Sequence, residues 1–340
     1  MGRGQSKASG GSGEAFRWTA ETGMIGLSDL PGSLFQSDAR GVSADGAVVT
    51  GSGVSDAGQF AFRWTEATGL VSLGALPAFQ PGSHGQGISG DGTTVVGFCS
   101  SFDSPGGEPC RWTAATGMLS LGTLPGAPPG GQATATNFDG SVVVGNSELP
   151  GHVSSEPFRW SQETGMVGLG HLPGVTIPSG LAFAVSNDGN TVVGQAGGSH
   201  GLEAFRWTAE TGMIGLGDLP GGIFRSVANG ISGDGTIIVG NASIDGPPGF
   251  PDPYQAAFIW DATHGMRRLI DVLASDYGLA LAGWQIVSAN AISNDGLAIV
   301  GGAQPPQGPV VAYEVLLPEP ASASLLALAT LLFRCRARTT

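Results

Sequence analysis

The chain has 340 residues, 41% of them hydrophobic and only 12% charged. That is the composition of a chain that folds around apolar cores, even with 59 glycines and 22 prolines. A formal net charge of −13, with Lys7 as the single lysine, excludes a nucleic-acid partner, because nothing present could neutralise a run of phosphates. The length allows two ordinary domains or one large all-β domain.

Residues 1–13 are a polar Gly/Ser-rich start with no apolar central region of the kind an export signal needs. From Glu14 onward one phrase recurs: Phe16-Arg17-Trp18, Phe62-Arg63-Trp64, Cys110-Arg111-Trp112, Phe158-Arg159-Trp160, Phe205-Arg206-Trp207 and Phe258-Ile259-Trp260. Its tryptophans, Trp18, Trp64, Trp112, Trp160, Trp207 and Trp260, are spaced by 46, 48, 48, 47 and 53 residues, the length of a four-stranded propeller blade. They are the expected core of each repeat.

Within a repeat the text divides into four short segments. In the one that starts at Ser226, Val227 to Ser232 is closed by Asp234-Gly235, and the apolar run Ile237, Ile238, Val239 follows. Asp-Gly between two such runs predicts a hairpin on a two-residue primed turn. The dipeptide recurs at Asp45-Gly46, Asp91-Gly92, Asp139-Gly140, Asp188-Gly189 and Asp295-Gly296. The Phe-Arg-Trp segment is the third strand, with both aromatics on one face and the arginine on the other. The fourth follows a Thr-Gly turn and ends in Leu-Pro-Gly, since proline cannot continue a ladder. Only Leu269 to Ala282 competes as a helix.

Four antiparallel strands repeated in tandem predict an all-β protein, a β-propeller over residues 14–317, because radial packing covers both faces of every sheet. A parallel β-solenoid is the competitor, but its coils are usually shorter and need no hairpin in every repeat. Five repeats are complete, from Ser37, Ser83, Gly131, Ser179 and Ser226. A sixth, from Val287, supplies three strands, and Met24 to Leu27 would complete it by pairing the two ends of the chain. This gives about six blades. The Phe16-Arg17-Trp18 strand is then surplus, so the alternative is seven blades in a longer natural chain.

Ala204-Phe205-Arg206-Trp207, Leu216-Gly217-Asp218-Leu219 and Ile231-Ser232-Gly233-Asp234-Gly235 resemble the HAF-type extracellular repeats of bacterial surface proteins, a likeness that extends over roughly Glu14 to Leu317. At the C-terminus, residues 318–340, Pro318-Glu319-Pro320 is followed by an apolar stretch from Ala321 to Phe333 and then by Arg334, Arg336 and Arg338. This resembles the PEP-CTERM sorting signal, which implies export, membrane arrest and recognition by an exosortase. Independently of the resemblance, a 13-residue apolar run is short for a permanent span, and arginines after it favour a cytoplasmic position, as in a transient anchor. A sorted protein needs an export signal, and together with the surplus strand its absence from residues 1–13 leads to the expectation that the start lies inside a longer protein.

No catalytic constellation, cofactor motif or metal-ligand spacing emerges. His84, His152, His171, His200 and His264 are scattered, and the Asp-Gly turns each offer one carboxylate where a calcium loop needs several oxygens. Arg17, Arg63, Arg111, Arg159 and Arg206 could line an anion-binding surface, but their recurrence favours pairing with an acidic group, or covering a strand, within each repeat. Cys99 and Cys110 flank the loop between two antiparallel strands. They either form a disulfide, which suits an exported protein, or remain buried thiols. The expected function is a non-enzymatic binding or structural module of the cell surface or extracellular matrix, with matrix polysaccharide or a surface protein as partner. Its variable loops between second and third strands, notably Asp245 to Gln255, would supply the binding face. The rival is a secreted polysaccharide hydrolase or lyase with paired carboxylates, although Asp103, Glu108, Asp252 and Asp276 form no recognisable set.

Overall fold

The structure, a computed structural model, describes residues 2–5, 13–32, 35–79, 82–100, 107–151, 154–175, 179–246, 254–279 and 281–318. The chain divides into two compact units, Met1–Leu169 and Gly170–Thr340. Every strand pair in both is antiparallel and joins neighbours in sequence, so each sheet is a meander.

The first unit holds four sheets. Sheet 1 contains β1 (Gly2–Gln5), β2 (Gly13–Thr19) and β3 (Gly23–Gly26); sheet 2 contains β4 (Ser37–Val42), β5 (Val48–Ser55), β6 (Gly58–Thr65) and β7 (Gly69–Ser72). Sheet 3 contains β8 (Ser83–Ile88), β9 (Thr94–Cys99), β10 (Glu108–Thr113) and β11 (Gly117–Ser120); sheet 4 contains β12 (Gly131–Thr136), β13 (Val142–Glu148), β14 (Ser155–Ser161) and β15 (Gly165–Gly168). In the second unit, sheet 5 contains β16 (Gly180–Val185), β17 (Val192–Gly197), β18 (Leu202–Thr208) and β19 (Gly212–Gly215). Sheet 6 contains β20 (Ser226–Ile231), β21 (Ile238–Ile244), β22 (Tyr254–Asp261) and β23 (Gly265–Arg268), then α1 (Leu269–Ser275) leads to sheet 7 with β24 (Gln285–Ile292), β25 (Ala298–Gln304) and β26 (Val311–Leu316).

Within each unit the cores lie between consecutive sheets. Ala15, Leu27 and Leu30 of the sheet 1 segment pack with Ala39, Val49 and Phe62 of sheet 2, and Val96, Leu121 and Leu124 pack with Ala133, Val143 and Phe158. In the second unit Val193, Leu216 and Leu219 meet Ala228, Ile238 and Phe258. Alternation along the third strand sends the phenylalanine to this face, and a glycine in the second strand makes room for its ring. Gly51 stands opposite Phe62, Gly145 opposite Phe158 and Gly240 opposite Phe258. A Cβ at Gly240 would lie 2.8 Å from the Phe258 ring and 1.9 Å from the Val227 carbonyl oxygen.

Four expectations change. Phe62, Phe158, Phe205 and Phe258 are fully buried, whereas of the repeat tryptophans only Trp64 is buried and Trp18 is 37% exposed. Trp112, Trp160, Trp207 and Trp260 are half-buried, because the tryptophan lies at the strand end beside the turn and the phenylalanine at mid-strand. The helix covers Leu269–Ser275 only; Leu269, Val272 and Leu273 are its buried stripe, and Gly278, at φ +68°, follows. The Asp-Gly hairpins are not two-residue primed turns. Ser43 N–H donates to Val48 O and Gly46 N–H to Ser43 O, each at 2.9 Å, so the loop is Ala44 to Ala47, and in it only Gly46 has positive φ. This is the longer hairpin built on an ordinary turn.

The fourth change concerns the chain ends. Residues 24–26 pair with Phe16 to Trp18 in sheet 1, and among the described residues β26 pairs with β25 alone. Thr22 N–H donates to Thr19 Oγ1 at 3.1 Å and keeps that turn local; a short loop closes at far less entropic cost than one spanning the whole chain. The surplus Phe16-Arg17-Trp18 strand is thereby placed in a sheet of its own.

Candidate functional site

The Asp-Gly turns use their carboxylates internally. In the first, Ser43 Oγ–H donates to Asp45 Oδ1 at 2.5 Å, Ala47 N–H to the same oxygen at 2.9 Å, and Val48 N–H to Ser43 Oγ at 3.0 Å. Ser89 with Asp91, Ser186 with Asp188 and Ser232 with Asp234 repeat the first contact at 2.5, 2.5 and 2.6 Å. The hydroxyl of Ser43, with the Ala47 N–H, holds Asp45 below the usual carboxylate range, and Ser186 with Asn190 does the same for Asp188. At Asp91 and Asp234 burial pushes upward, and the Ser and Thr hydrogen bonds outweigh it. Among the described residues no three His, Cys, Asp or Glu side chains gather as a metal would require.

These turns also join sheets. In the first unit Ala44 N–H donates to Gly90 O at 2.9 Å and Asp91 N–H to Phe138 O at 3.0 Å; in the second, Asn187 N–H donates to Gly233 O and Gly233 N–H to Asn294 O, both at 2.9 Å. The repeat arginines reinforce the row. Nε–H of Arg17, Arg63 and Arg111 donates to the carbonyl of Gly46, Gly92 and Gly140, at 2.8, 3.3 and 3.3 Å. The partner is a backbone carbonyl of the following sheet, where the sequence favoured an acidic group or a covered strand within the same repeat. A second stitch was not recognised from the sequence. Ser37, Ser83 and Ser226 accept from Ala15, Ala61 and Ala204 N–H of the preceding sheet, at 3.0, 2.9 and 3.0 Å. The only available signal was the recurrence of serine at the start of the repeat.

Every first strand from β4 to β24 carries a register shift, and such bulges re-aim side chains. In the first unit the bulged positions are Arg40, Gln86 and Thr134. Arg40 donates to Asp38 at 2.8 Å and to Gln86 Oε1 at 2.9 Å. With Gln36, Ser37, Ser52, Val54 and Gln59, Asp38 and Arg40 line a polar cavity of about 100 Å³. Ser52 is buried, and its hydroxyl has no partner among the described residues. Nearby, His84 stacks on Phe98 with centroids 4.4 Å apart; burial, then Arg40, lower its pKa.

A larger groove of about 550 Å³ runs over the turn end of sheets 2 to 4, lined by Arg63, Thr93, Arg111, Trp112, Ala114 and Asp139 among others. Cys99 and Cys110 are buried free thiols whose Sγ atoms are 3.3 Å apart. Of the acids considered for hydrolysis, Glu108 accepts from the Ser120 hydroxyl and Asp276 pairs with Arg267 at 2.9 Å. They belong to different units, and Asp103 and Asp252, like most of the Asp245 to Gln255 loop, lie outside the described residues. So do Glu319, Pro320, Arg334, Arg336, Arg338 and the apolar stretch between; Pro318 is the last described residue. No helix among the described residues is long and apolar enough to cross a membrane.

No family model and no curated protein matches the chain. Among solved structures, an oligogalacturonate lyase in complex with manganese is similar at TM-score 0.55 and 16% identity, covering 92% of this chain and 85% of that one. The β-propeller domain of the trilobed protease from Pyrococcus furiosus is similar at TM-score 0.50 and 10% identity, covering 81% and 80%. TolB from Acinetobacter baumannii is similar at TM-score 0.45 and 14% identity over 72% of this chain, which spans 55% of that protein's length. The first two likenesses extend to the fold alone: this is an all-β chain of mostly four-stranded antiparallel sheets, similar to β-propeller proteins.

Proposed function

We propose that this chain is an exported, surface-displayed HAF-type repeat protein, a non-enzymatic binding or structural module of the cell surface or extracellular matrix, sorted through a PEP-CTERM tail. The observation that carries the reading is the order of the C-terminal text. The last strand ends at Leu316, and Pro318-Glu319-Pro320, the apolar stretch and the three arginines follow at once. An exosortase-type enzyme acting at the motif would remove the transient anchor and leave every described strand whole. The turn carboxylates are committed to hydrogen bonds, which supports binding over hydrolysis. With this reading goes a propeller of about six or seven blades.

In a host with the matching exosortase and an export signal supplied, the wild-type chain is expected to lose the segment after the motif. A variant with both Pro318→Ala and Glu319→Ala is expected to stay uncut in the membrane fraction, since the apolar anchor survives while the recognised motif is gone. Equal processing of both forms would refute the assignment. The hydrolase or lyase reading is tested beside it by incubating the purified chain with matrix polysaccharides and measuring new reducing ends or unsaturated products; binding without turnover is expected.

A further inference from the structure

The chain is acidic overall, yet in the first unit Arg17, Arg63 and Arg111 lie along a row of turns. Arg40 meets Asp38, and Arg267 meets Asp261 and Asp276. Arg63 and Arg111 differ. Each gives its Nε–H to a glycine carbonyl of the next sheet, which fixes the guanidinium plane while leaving the terminal N–H groups for other acceptors. Arg111 Nη2 is 3.4 Å from Thr94 Oγ1, and no carboxylate of a described residue pairs with either arginine. Both line the same groove, with the Thr93 and Thr113 side chains, Trp112 and the small Ala114 and Ala115. The one acid in the lining, Asp139, already accepts from Ser141 through its hydroxyl at 2.6 Å and its N–H at 3.0 Å.

We propose that this groove binds a carboxylated sugar unit of a glycan chain, with Arg63 and Arg111 as the carboxylate's partners. A planar guanidinium held by its Nε presents a donor edge that matches a carboxylate, and burial of Arg111, which lowers its pKa, reduces the water that competes for that edge. Hydroxyl-bearing and small apolar walls suit a sugar ring, with polar groups fixing its orientation. The net charge of −13 repels polyanions at long range, so recognition depends on the guanidinium groups at contact rather than on long-range attraction. The inference rests on the binding reading above and specifies its ligand class.

The test is calorimetric titration of the purified chain with hexamannuronate, with the same oligosaccharide after carboxyl reduction, and with poly-glutamate. Hexamannuronate is expected to bind at least about tenfold more tightly than either control. Arg111→Gln is expected to weaken that binding about tenfold or more. Because this change also removes the clamp on Gly140, a second variant, Ala114→Glu, places a like charge at an exposed position of the lining and is expected to weaken binding similarly with an unchanged melting temperature. Equal affinity for the reduced oligosaccharide, preference for poly-glutamate, no binding of hexamannuronate, or unchanged affinity in both variants would overturn the proposal. Surface sorting is read from the C-terminus of the mature chain, so failure here leaves that reading standing.

Discussion

At the residue scale, phenylalanine rather than tryptophan is the fully buried aromatic of four repeats, at Phe62, Phe158, Phe205 and Phe258. Phe158 is fully buried against Val96, Leu121 and Leu124 of the preceding sheet, so Phe158→Ala should cost about 3–5 kcal/mol in urea unfolding. Trp112→Ala should cost less, because that side chain is only partly buried. A tryptophan loss equal to the phenylalanine loss would return Trp112 to the core. Strand alternation told from sequence that both aromatics share a face; it carried no information on depth, which depends on how far each lies from the strand end. The thiols invite a second measurement. Cys99 and Cys110 are 3.3 Å apart at sulfur, against about 2.05 Å in a bond, and hydrogen bonding to Cys99, with burial, pushes the Cys110 thiol up. Protein made under oxidising conditions should yield the linked peptide on mapping without reduction. Recovery of both thiols alkylated from natively folded protein would remove the bond.

At the scale of the element, the Ser-x-Asp-Gly turn is both hairpin and inter-sheet joint. Its aspartates titrate below the unfolded-chain value of about 3.9, Asp45 chiefly through Ser43 and Asp295 through Ser293, and Asp139 of the variant Asn137-Phe138-Asp139-Gly140 does so through Ser141. A depressed carboxyl pKa contributes stability that is complete above the unfolded value and is lost as the pH falls through the folded one. Burial raises Asp29 and Asp218, giving two contributions of the opposite sign against the six of the turns and those of Asp261 and Asp276. The fold should therefore lose stability below about pH 4. Ser43→Ala should move the Asp45 titration upward in carboxyl-detected NMR; an unmoved titration would show that the serine hydroxyl does not hold the turn. The dipeptide located all six hairpins in the sequence. It did not give their loop length, because Ser43 supplies its side chain to a turn that begins two residues before the aspartate.

For the whole molecule, the period of the phrase was enough to give five four-stranded sheets in sequence order, since each is closed by local turns. The relation of the chain ends was not legible. Pairing residues 24–27 with the last sheet would satisfy a count of strands, but the turn at Thr19 and Thr22 binds them to their own neighbours. The groove was half legible: the arginine row stood out, while the glycine carbonyls that orient it belong to residues 29 positions away in each case and emerge only when consecutive sheets pack. The claim of surface sorting is tested most directly by the intact mass of the mature chain recovered from the cell surface of a host with the matching exosortase. A cut after Pro320 removes Arg334, Arg336 and Arg338 with no acidic residue and takes the formal charge from −13 to −16. The account predicts a chain that ends at or beside the Pro-Glu-Pro motif; a mature surface protein that still ends in Thr340 would contradict it.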